Sequence, residues 1–450
     1  MKNNIVITMP LQVTQILEKL ESSGYEAYIV GGCVRDSIMC RDAKDWDICT
    51  SATPDEVCKV FSDDKVIETG LKHGTVTVVL DDVGCEITTF RVDGNYSDKR
   101  RPDSVSFTSS LEQDLSRRDF TINAMAYNSQ RGLIDPYGGI EDILDKNIRC
   151  VGDAYSRFSE DSLRILRALR FACQLGFTIH TDTASAMIDL RNSLSNVSKE
   201  RICAELSKMI VCNSFPSKLS IFRQVFFTII PELKIMDGFD QNNPYHDHDV
   251  FDHTIYAVEY ADPDLVIKLA ALLHDTGKPH CYSQGEDGYT HFRGHGKFSA
   301  SIATEILNRL RFDNQTTFEV VQLVHFHDAT IEPSKKHIKR WLNKLGEVQF
   351  RRLLKLRYAD ISAQSIDVHP DRILKITQIE SMLDEVLADN EAFSIKHLAI
   401  NGNDLKTIGY NEGLEIGAAL RKLLDCVVDE ELINNKSALL NKAMEWRDTK

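Results

Sequence analysis

The chain reads Tyr28-Ile29-Val30-Gly31-Gly32-Cys33-Val34-Arg35-Asp36 near its N-terminus, and Asp45-Trp46-Asp47 follows nine residues later. Three apolar residues running into a Gly-Gly pair favour a strand followed by a turn. In an extended strand alternate side chains share a face, so Asp45 and Asp47 would point one way and Trp46 into the opposite layer. The pattern predicts an α/β unit with two carboxylates on one face of a strand.

Two carboxylates on one face are the hard oxygen ligands that Mg²⁺ takes when it is shared with a triphosphate, because Mg²⁺ keeps several of its waters. The Gly-Gly pair would let the backbone approach a phosphate. Either motif alone also occurs at ordinary turns and strand ends. In this order and at this spacing they indicate a metal-dependent nucleotidyl-transfer site, with Asp45 and Asp47 as catalytic Mg²⁺ ligands.

Composition limits the class of protein. With 450 residues, 42% of them hydrophobic, the chain should form about two to four folded domains. It contains no apolar run of roughly 18 residues, and its N-terminus leads into a helix pattern, so we expect no membrane partner and no signal peptide. Its 11 cysteines include no C-x-x-C pair. Unpaired thiols in a reducing, cytoplasmic location fit best.

The net charge of −14 argues against a protein that coats nucleic acid without specificity. A local basic segment nevertheless lies between residues 335 and 357, where Glu347 is the single acid. This basic segment is a candidate RNA-backbone contact, with a solvated helix surface as the alternative. Its basic residues are Lys335, Lys336, Lys339, Arg340, Lys344, Arg351, Arg352, Lys355 and Arg357.

Hydrophobic periodicity divides the chain into an α/β part and a helical part. A dense turn signal over residues 135–139 closes the first part, and helical spacing dominates from there to the C-terminus. We find no internal repeat. The predicted elements are helices over residues 1–20 and 54–61 and strands over 27–30, 45–49, 75–80 and 85–90.

Two further segments add charged groups to the predicted site. Glu86, on the strand over 85–90, could hold a second metal ion or help to deprotonate an attacking hydroxyl, with a rim salt bridge as the alternative. Arg118 could bind phosphate or ribose oxygens, because arginine offers a fixed fork of donors, although a structural Arg-Asp pair is the alternative. The polar, charged segment 93–102 would suit a loop beside the site.

The segment Glu160-Asp161-Ser162-Leu163-Arg164-Ile165-Leu166-Arg167-Ala168-Leu169-Arg170-Phe171 predicts a helix on which charged residues recur. Asp161, Arg164, Arg167 and Arg170 are three apart, so each would neighbour the next. Three arginines on an otherwise apolar helix would be costly to desolvate without an anion. We therefore expect a triphosphate to pair with them.

Asp161 and Arg164 together suggest which bases the site accepts. Cytosine and adenine each present an amino donor beside a ring-nitrogen acceptor, whereas uracil and guanine present a carbonyl beside a ring N–H. A fixed carboxylate next to a fixed guanidinium complements the first pattern and leaves polar groups mismatched with the second. We expect the site to accept C and A and to reject U and G.

These motifs resemble those of the class II tRNA nucleotidyltransferases, which comprise the CCA-adding enzymes and their relatives, the bacterial poly(A) polymerases. The resemblance covers about residues 25 to 210 and includes Arg117-Arg118-Asp119-Phe120-Thr121-Ile122-Asn123-Ala124. It implies an α+β fold, with a nucleotidyltransferase-fold head of mixed β-sheet and helices followed by an all-α neck, body and tail. The implied boundaries are head 1–150, neck 151–215 with the base-selecting helix, body 216–335 and tRNA-binding tail 336–450.

The resemblance also implies roles for individual residues. Gly32 and Arg35 would contact the nucleotide phosphates, Asp45 and Asp47 would hold Mg²⁺, and the tRNA 3′-hydroxyl would attack the α-phosphorus of CTP or ATP and release pyrophosphate. The tRNA acceptor arm is the implied partner. The pocket would be completed by Arg118, Asp161, Arg164, Arg167 and Arg170.

Members of this family add CCA, only CC or only A. CC-only members resemble variants that lack the charged loop at 93–102, which is present here, so complete CCA addition is favoured and A-only addition stays open. A poly(A) polymerase is less favoured because those chains tend to be more basic. Trp46 is bulkier than the residue expected between the two aspartates, but it would face away from the metal.

A second constellation, later in the chain, resembles the HD phosphohydrolase pattern. His253, His274-Asp275 and His295 could build a nitrogen and oxygen site for a divalent transition metal. A further ligand would come from His325, His327 or Asp328, and the sequence does not choose among them. His246 and His248 could equally be surface residues. A metal-dependent phosphohydrolase of nucleotides or RNA ends is therefore the rival function from another class.

Overall fold

The computed structural model describes residues 5–71, 74–94, 104–286, 288–366, 369–389 and 391–448. The chain divides into two compact units, Met1–Pro231 and Glu232–Lys450, which are described separately. The α+β fold class is confirmed, because a mixed sheet with helices comes first and mainly helical structure follows. The finer division into head, neck, body and tail stays a prediction.

The first unit begins with the α/β part and continues in helices. Its helices are α1 Leu11–Ser22, α2 Gly32–Ile38, α3 Pro54–Val60, α4 Leu111–Ser116, α5 Gly139–Leu144, α6 Ala154–Glu160, α7 Leu163–Leu175, α8 Thr181–Asp189, α9 Lys199–Ile210, α10 Phe215–Ile221 and α11 Arg223–Ile229. Its strands are β1 Ala27–Val30, β2 Ile48–Thr50, β3 Lys65–Gly70, β4 Thr75–Leu80, β5 Val83–Thr89, β6 Arg91–Asp93, β7 Val105–Phe107, β8 Ala126–Asn128, β9 Gly132–Ile134, β10 Asn147–Ile148 and β11 Thr178–Ile179.

Among the described residues, seven strands of the first unit form one mixed sheet in the order β3-β4-β5-β2-β1-β8-β9. Strand β1 lies near the centre with every residue buried, as its run of apolar side chains requires. It pairs antiparallel with β2 and β8, and β2 pairs in parallel with β5. The strand after which the Gly-Gly turn comes is thus held on both sides.

The sequence patterns located the strands of this sheet but misplaced the ends of some helices and strands. The strands predicted over 27–30 and 75–80 are confirmed, and the first helix begins at Leu11 instead of residue 1. Strand β2 begins at Ile48, so the expectation that Asp45 and Asp47 lie within a strand is wrong: they lie in the segment that leads into it. Residues 95–102 of the predicted loop lie outside the described residues.

The second unit is mainly helical. Its helices are α12 Val250–Tyr260, α13 Leu265–Leu273, α14 His295–Arg309, α15 Asn314–Phe326, α16 Lys335–Leu345, α17 Glu347–Ser362, α18 His369–Ala388, α19 Gly402–Thr407, α20 Leu414–Val428 and α21 Lys436–Asp448. Short strands β12 Ser283–Gln284 and β13 Thr290–His291 pair antiparallel. The predicted all-α region after residue 150 therefore also contains this pair and strand β11, which pairs with β10 just before that region.

Helix α13 forms the interior of the second unit. Its residues from Val266 to Leu273 are all buried, and Asp264 caps its first turn by accepting hydrogen bonds from two backbone N–H groups. Because the helix is apolar all round, it packs on several neighbours at once. It delivers His274, which directly follows it, into the centre of the unit.

Two expectations drawn from composition can be compared with the described structure. All 11 cysteines are free, as the absence of paired motifs predicted. Across the part of the chain that the structure describes, no helix is both long and apolar enough to span a bilayer.

Candidate functional site

Asp47, which directly precedes β2, lies beside Glu86, which is in the middle of the neighbouring strand β5. The Val30 N–H donates to the Asp47 carbonyl oxygen at 3.0 Å, which extends the β1–β2 pairing one residue toward the N-terminal side of β2. Strands β2 and β5 pair in parallel with Ile48 opposite Ile87. The preceding residues, Asp47 and Glu86, are therefore neighbours across the two strands.

The carboxylates of Asp45, Asp47 and Glu86 form an exposed group, called here the acidic cluster. Burial of its carboxyl group raises the pKa of Asp47; Arg118 lowers this pKa, and the charges of Glu86 and Asp45 raise it further. The charges of Arg118, Glu86 and Asp45 therefore all act on the Asp47 carboxylate. Like charges gathered in this way are stabilised by a cation.

The Gly-Gly turn is shaped around Arg118. Gly31 has a φ of 82°, and a Cβ there would lie 3.1 Å from Arg118 Nη1, so a larger residue would press on the guanidinium. Arg118 Nη2 donates to Asp114 Oδ2 at 3.3 Å, while its buried Nε has no hydrogen-bond partner among the described residues. Arg118 is thus held in place with donor capacity left over.

Arg35, predicted as a phosphate ligand, is buried and fully engaged by neighbouring side chains. Its Nη1 donates to Asn123 Oδ1 at 2.6 Å, and its Nε and Nη2 donate to the Asp36 carboxylate at 2.9 and 3.0 Å. Its guanidinium also lies 5.2 Å from the centre of the Phe171 ring. Arg35 therefore ties α2 to the segment around Asn123 and to α7.

Asp119 connects that segment to α7 by a buried ion pair. Its carboxylate accepts from Arg167 Nε at 2.8 Å and from Asn123 Nδ2 at 3.1 Å. Burial alone would raise the pKa of Asp119, but Arg167 and Asn123 outweigh it and lower this pKa to about 2. The carboxylate is ionised at neutral pH and holds Arg167 in place.

The three arginines of α7 all have carboxylate partners within the chain. Arg164 Nη1 donates to Glu160 at 2.5 Å, Arg167 pairs with Asp119, and Arg170 Nε donates to buried Glu205 at 2.5 Å. The desolvation argument for a bound triphosphate therefore no longer holds, and triphosphate binding by these arginines stays a prediction. Protein carboxylates already offset their desolvation.

Asp161 does not lie on α7 and does not pair with Arg164, contrary to expectation. It has extended backbone angles between α6 and α7, and its carboxylate accepts from the Leu163 N–H at 3.0 Å. Its ion-pair partner is Arg201 on α9, whose Nη2 lies 2.7 Å from Asp161 Oδ2. Arg164 instead donates to the Arg117 carbonyl oxygen at 2.9 Å.

The basic segment 335–357 does not form a free basic surface. Most of its charges pair with acids of the same unit; Arg352, for example, meets both Asp264 and Glu319. Lys344 lies 3.8 Å from the centre of the Phe326 ring. The expectation of an RNA-backbone contact is therefore not supported by a surplus of free charge. Other pairs join Lys335 to Asp389 and Glu391, Lys336 and Arg340 to Asp429, Lys339 to Glu391 and Glu430, Arg351 to Glu347 and Asp384, and Lys355 to Asp262.

The second unit contains a buried group of imidazoles and carboxylates, called here the His/Asp cluster. Its members come from five helices or their ends, and each is at most partly exposed. His253, His274 and Asp275 are no more than 1% exposed. The members are His253 on α12, His274 and Asp275 after α13, His295 at the start of α14, His327 after α15 and Asp360 on α17.

Contacts within the His/Asp cluster are short. His274 Nε2 lies 3.1 Å from Asp275 Oδ2 and 3.4 Å from His253 Nε2, and His253 Nε2 lies 3.1 Å from Asp360 Oδ1. Burial lowers the pKa of His274, but Asp275 and Asp360 outweigh it and raise this pKa to about 10. The carboxylates of Asp275 and Asp360 are therefore stabilised by a positive charge between them.

Only some of the predicted histidines join this cluster. His253, His274, Asp275 and His295 are brought together as expected. Of the three residues left open, His327 is a member, whereas His325 is exposed and Asp328 is a neighbour of His295 Nδ1 at 3.6 Å. The remaining two differ: the His246 ring lies 4.7 Å from that of His253, and the exposed His248 stacks on Tyr256.

Three family models match the chain. The poly A polymerase head domain matches residues 27–149, the probable RNA and SrmB-binding site of polymerase A matches 176–233, and the putative tRNA nucleotidyltransferase domain 2 matches 284–443. The CCA-adding enzyme of Leuconostoc mesenteroides is 48% identical over 206 residues, which are 46% of this chain and 51% of that protein. The chain is therefore similar to CCA-adding enzymes and to the poly A polymerase head domain.

A second curated relative is similar to the same extent. The CCA-adding enzyme of Geobacillus thermodenitrificans is 50% identical over 199 residues, 44% of this chain and 49% of that protein. The chain thus spans about half the length of the curated relatives it matches.

Solved structures of CCA-adding enzymes match nearly the whole chain. The Bacillus stearothermophilus CCA-adding enzyme in complex with CTP is 28% identical with a TM-score of 0.70, and 98% of this chain and 99% of that one are covered. The Thermotoga maritima CCA-adding enzyme complexed with tRNA is 19% identical with a TM-score of 0.58, covering 97% of this chain and 94% of that one. The second likeness concerns the fold alone.

Sequence reasoning missed the partners that hold the predicted residues in place. Asp119 was quoted within a motif, but its pairing with Arg167 joins positions that no local pattern relates. Asp114, Glu160 and Arg201 were not singled out at all. In the second unit the missed member is Asp360, whose only sequence signal is an acid on the mainly apolar inner side of α17.

Proposed function

We propose that this chain is a Mg²⁺-dependent CCA-adding enzyme, which builds or repairs the 3′-terminal CCA of tRNA from CTP and ATP. The observation that carries the proposal is the acidic cluster of Asp45, Asp47 and Glu86 beside Arg118 and the Gly-Gly turn. The tRNA acceptor arm is the proposed partner. The names of the curated relatives and the CTP complex of the 28%-identical relative support this assignment.

The acidic cluster suits Mg²⁺ in its donor chemistry. It offers carboxylate oxygens that are open to solvent, and the charges of Asp45 and Glu86 both raise the pKa of Asp47, so a cation there would relieve repulsion. Asp45 and Asp47 would hold the ion. When bound, Mg²⁺ offsets the negative charge that develops on the reacting phosphate oxygens.

The chain's own groups would bind and orient the substrates. The tRNA 3′-oxygen attacks the α-phosphorus, the bond from that phosphorus to the bridging oxygen breaks, and pyrophosphate leaves. Arg118, with its free Nε–H, would bind phosphate oxygens near the Gly32 backbone. The Glu86 carboxylate would accept the proton that the 3′-hydroxyl loses.

Arg35, Arg167 and Arg170 fit a supporting role better than direct contact with the nucleotide. Each is engaged by a carboxylate of the chain, and their guanidinium groups all lie within 5.3 Å of the Phe171 ring centre. We propose that they position α7 against the segment carrying Arg118. Direct phosphate contact, which the family resemblance implied, would require those ion pairs to open.

Base selection would fall to Asp161 and Arg164. Arg164 donates through Nη1 to Glu160 and the Arg157 carbonyl oxygen and through Nη2 to the Arg117 carbonyl oxygen, which leaves N–H donors for a base edge. Arg201 and the Leu163 N–H fix the Asp161 carboxylate without using all its lone pairs. Two fixed groups of this kind would favour the donor-acceptor edges of C and A.

The direct test uses tRNA ending before CCA, at CC and at CCA, each incubated with one nucleoside triphosphate at a time. We expect CTP to extend only the first tRNA, ATP to extend only the second, and neither to extend the third. ATP use on the CC end with no CTP use on the first tRNA would identify an A-only enzyme. Repeated ATP addition to every end would identify a poly(A) polymerase.

A second candidate function is metal-dependent phosphoester hydrolysis in the second unit. We infer that His253, His274 and Asp275 hold a divalent transition metal, because their donor atoms are buried and lie within 4.8 Å of one another. A cavity of about 950 Å³ opens beside them and is lined by Lys278, Arg293, Arg357 and Arg372 among other residues. Such a cavity fits an anion of nucleotide size.

Hydrolysis of a generic phosphomonoester such as p-nitrophenyl phosphate, in the presence of Mn²⁺, tests this second candidate. Water would add to phosphorus, the ester P–O bond would break, and the proton from water would pass to the leaving oxygen. We expect turnover by the full chain and its loss in His274→Gln. Absence of turnover by the unmodified chain with any transition metal would contradict the second candidate and leave CCA addition unaffected.

A further inference from the structure

Helix α4 carries a buried carboxylate on which several donors converge. Asp114 is 0% exposed, and its Oδ1 accepts from Arg117 Nε at 3.0 Å and from Arg117 Nη2 at 2.7 Å. The same oxygen accepts from the Arg91 backbone N–H at 3.3 Å. Its other oxygen, Oδ2, accepts from Arg118 Nη2 at 3.3 Å. Each oxygen of Asp114 therefore has its own donors, and Oδ2 is the one that meets Arg118.

The N-terminal end of α4 is fixed by a cap and by the core. Ser110 accepts a hydrogen bond from the Gln113 N–H at 3.3 Å, which satisfies one donor of the first turn. Leu111 and Leu115 belong to the hydrophobic core that also contains residues of β1 and β2. Asp114 lies between these two leucines in the chain and is held with them.

The C-terminal end of α4 is tied to the two helices that follow. The Ser116 carbonyl oxygen accepts from Arg157 Nη1 on α6 at 3.2 Å, and the Arg117 carbonyl oxygen accepts from Arg164 Nη2 on α7 at 2.9 Å. Glu160 pairs with Arg157 and Arg164, each at 2.5 Å. One short helix thus contacts both the arginine proposed to read the base and the arginine proposed to bind phosphate.

Arg117 has a second carboxylate partner besides Asp114. Its Nη1 lies 3.7 Å from Asp93 Oδ2 on β6, and Arg91 Nε lies 3.2 Å from Asp93 Oδ1. These ion pairs join α4 to β6 and share the charge of Arg117 between two acids. Oδ2 of Asp114 is therefore left to Arg118.

Asp114 holds one end of the Arg118 guanidinium and leaves the rest facing the acidic cluster. Arg118 Nη1 lies 3.1 Å from the position that a Cβ of Gly31 would take, and its buried Nε has no hydrogen-bond partner within the part of the chain that the structure describes. Burial raises the pKa of Asp47 and the charge of Arg118 lowers it, so the guanidinium lies near that carboxylate. A planar guanidinium held at one nitrogen presents its other donors in a fixed direction.

We propose that Asp114 is a positioning residue for nucleotide addition, which fixes the direction in which Arg118 presents its remaining donors to the triphosphate. This inference rests on the proposed function, in which Arg118 binds phosphate oxygens. Asp114 is fully buried and acts through Arg118 without touching the substrate. Without the Asp114 carboxylate, the nucleotide itself would have to order the guanidinium, at a cost in binding.

The test compares the steady-state kinetics of the unmodified full chain and Asp114→Asn on tRNA lacking CCA. We expect the KM for CTP to rise about tenfold, because Arg118 loses its charged partner, while kcat and the KM for tRNA change little. A merely structural role would lower kcat through loss of folded enzyme and leave the KM for CTP as it is.

Asp142→Asn is the matched control. Asp142 is also a buried carboxylate of the first unit, and it pairs with Arg149 Nε at 2.9 Å. It makes no contact with Arg118 among the described hydrogen bonds and ion pairs, so its loss should leave the KM for CTP unchanged. A tenfold rise in the control as well would overturn the specific role of Asp114.

A double-mutant cycle shows whether Asp114 acts through Arg118. Its readout is the dissociation constant of CTP with Mg²⁺ by calorimetry, which requires no turnover. Arg118→Ala should weaken binding at least as much as Asp114→Asn, and combining the two should weaken it less than about twofold beyond Arg118→Ala alone. Effects that multiply in the double variant would overturn the proposal.

The remaining outcomes separate this proposal from the proposed function. An unchanged KM for CTP in folded Asp114→Asn would overturn the positioning role and leave CCA addition in place, whereas no CTP or ATP addition by the unmodified chain would remove both. If Asp114→Asn fails to fold by circular dichroism, Arg117→Lys replaces it, because that change loosens the contacts to Asp114 Oδ1 and keeps the charge. We then expect a rise of about threefold in the KM for CTP, and no rise would overturn the proposal.

Discussion

The two units gather charge in opposite ways. In the first unit Asp45 and Asp47, just before β2, and Glu86, within β5, are exposed and offer only carboxylate oxygens. In the second unit His253 and Asp275 are no more than 1% exposed, and imidazole nitrogens dominate. The first arrangement would leave room for substrate oxygens around an ion, and the second would enclose an ion almost completely.

On the proposed function, the first cluster would bind an ion that arrives with the substrate, and the second would bind an ion that resides in the protein. Mg²⁺ prefers oxygen ligands and keeps waters, so an open set of carboxylates binds it through the triphosphate as well. Transition metals prefer imidazole, and rings fixed by backbone carbonyls are already arranged for them. The predictions below address that distinction.

The largest effect should come from the acidic cluster. Replacing both Asp45 and Asp47 by Asn keeps their size and removes the charge that would hold Mg²⁺, so we expect a loss of about 10³-fold or more in nucleotide addition to tRNA. Single-turnover extension measures it. Asp42→Asn, in the same exposed segment, is the matched control and should keep its rate. Equal rates in both variants would refute the site assignment.

The second effect concerns retention of metal by the His/Asp cluster. Mn²⁺ at about 100 times its dissociation constant should stabilise the second unit by about 2.7 kcal/mol, a rise of roughly 5–10 °C in its melting temperature. Scanning calorimetry of the chelator-treated chain measures this rise. Mg²⁺ at the same concentration should produce little change. A comparable rise with Mg²⁺ would erase the proposed distinction between the two clusters.

Buried charge also occurs in the first unit, where Asp119 pairs with Arg167. Because the folded pKa of Asp119 is about 2, below its unfolded value near 3.9, this carboxylate stabilises the fold above pH ~4 and loses that effect as the pH falls through about 2. Asp119→Asn should lower the free energy of unfolding by about 2 kcal/mol at pH 7, and the difference should narrow below pH ~4.

Denaturant unfolding at several pH values measures the Asp119 effect. The exposed Asp145→Asn serves as the control and should leave the free energy of unfolding unchanged throughout. If the free energy of unfolding of Asp119→Asn stays below that of the unmodified chain by a constant amount down to pH ~2, then packing, and not the charge of Asp119, holds α7 in place.

The smallest effect should be on base choice. Arg164→Ala removes one of the two groups proposed to read the base edge, so the preference for CTP and ATP over UTP and GTP should fall roughly tenfold. Competing-nucleotide incorporation measures it. The exposed Lys208→Ala on α9 is the control for loss of a positive charge. If Arg164→Ala keeps the preference for CTP and ATP over UTP and GTP, even while it incorporates nucleotides more slowly, then Arg164 does not read the base.

The acidic cluster was predictable because its parts are local. Asp45 and Asp47 are two residues apart, and the apolar run ending at Val30 places the Gly-Gly turn at the end of a strand. Glu86 followed from strand alternation alone, since Cys85 and Ile87 face the interior. Local spacing determines each of these positions.

The partners of the arginines were not predictable by the same means. Asp161 pairs with Arg201 across 40 residues, and Arg167 pairs with Asp119 across 48, so only the packing of helices brings them together. The three-residue spacing from Asp161 to Arg164 suggested one helix face. It failed because α7 starts at Leu163, after Asp161 has accepted a hydrogen bond from the first turn.

The most direct test of the account measures extension of tRNA lacking CCA, with CTP, ATP and Mg²⁺, by three full-length proteins. These are the unmodified chain, Asp45→Asn with Asp47→Asn, and His295→Gln with His327→Gln. We predict complete CCA addition by the first and the third and none by the second. Extension by the Asp45 and Asp47 variant, or its loss when only the two histidines are changed, would contradict the assignment of addition to the acidic cluster.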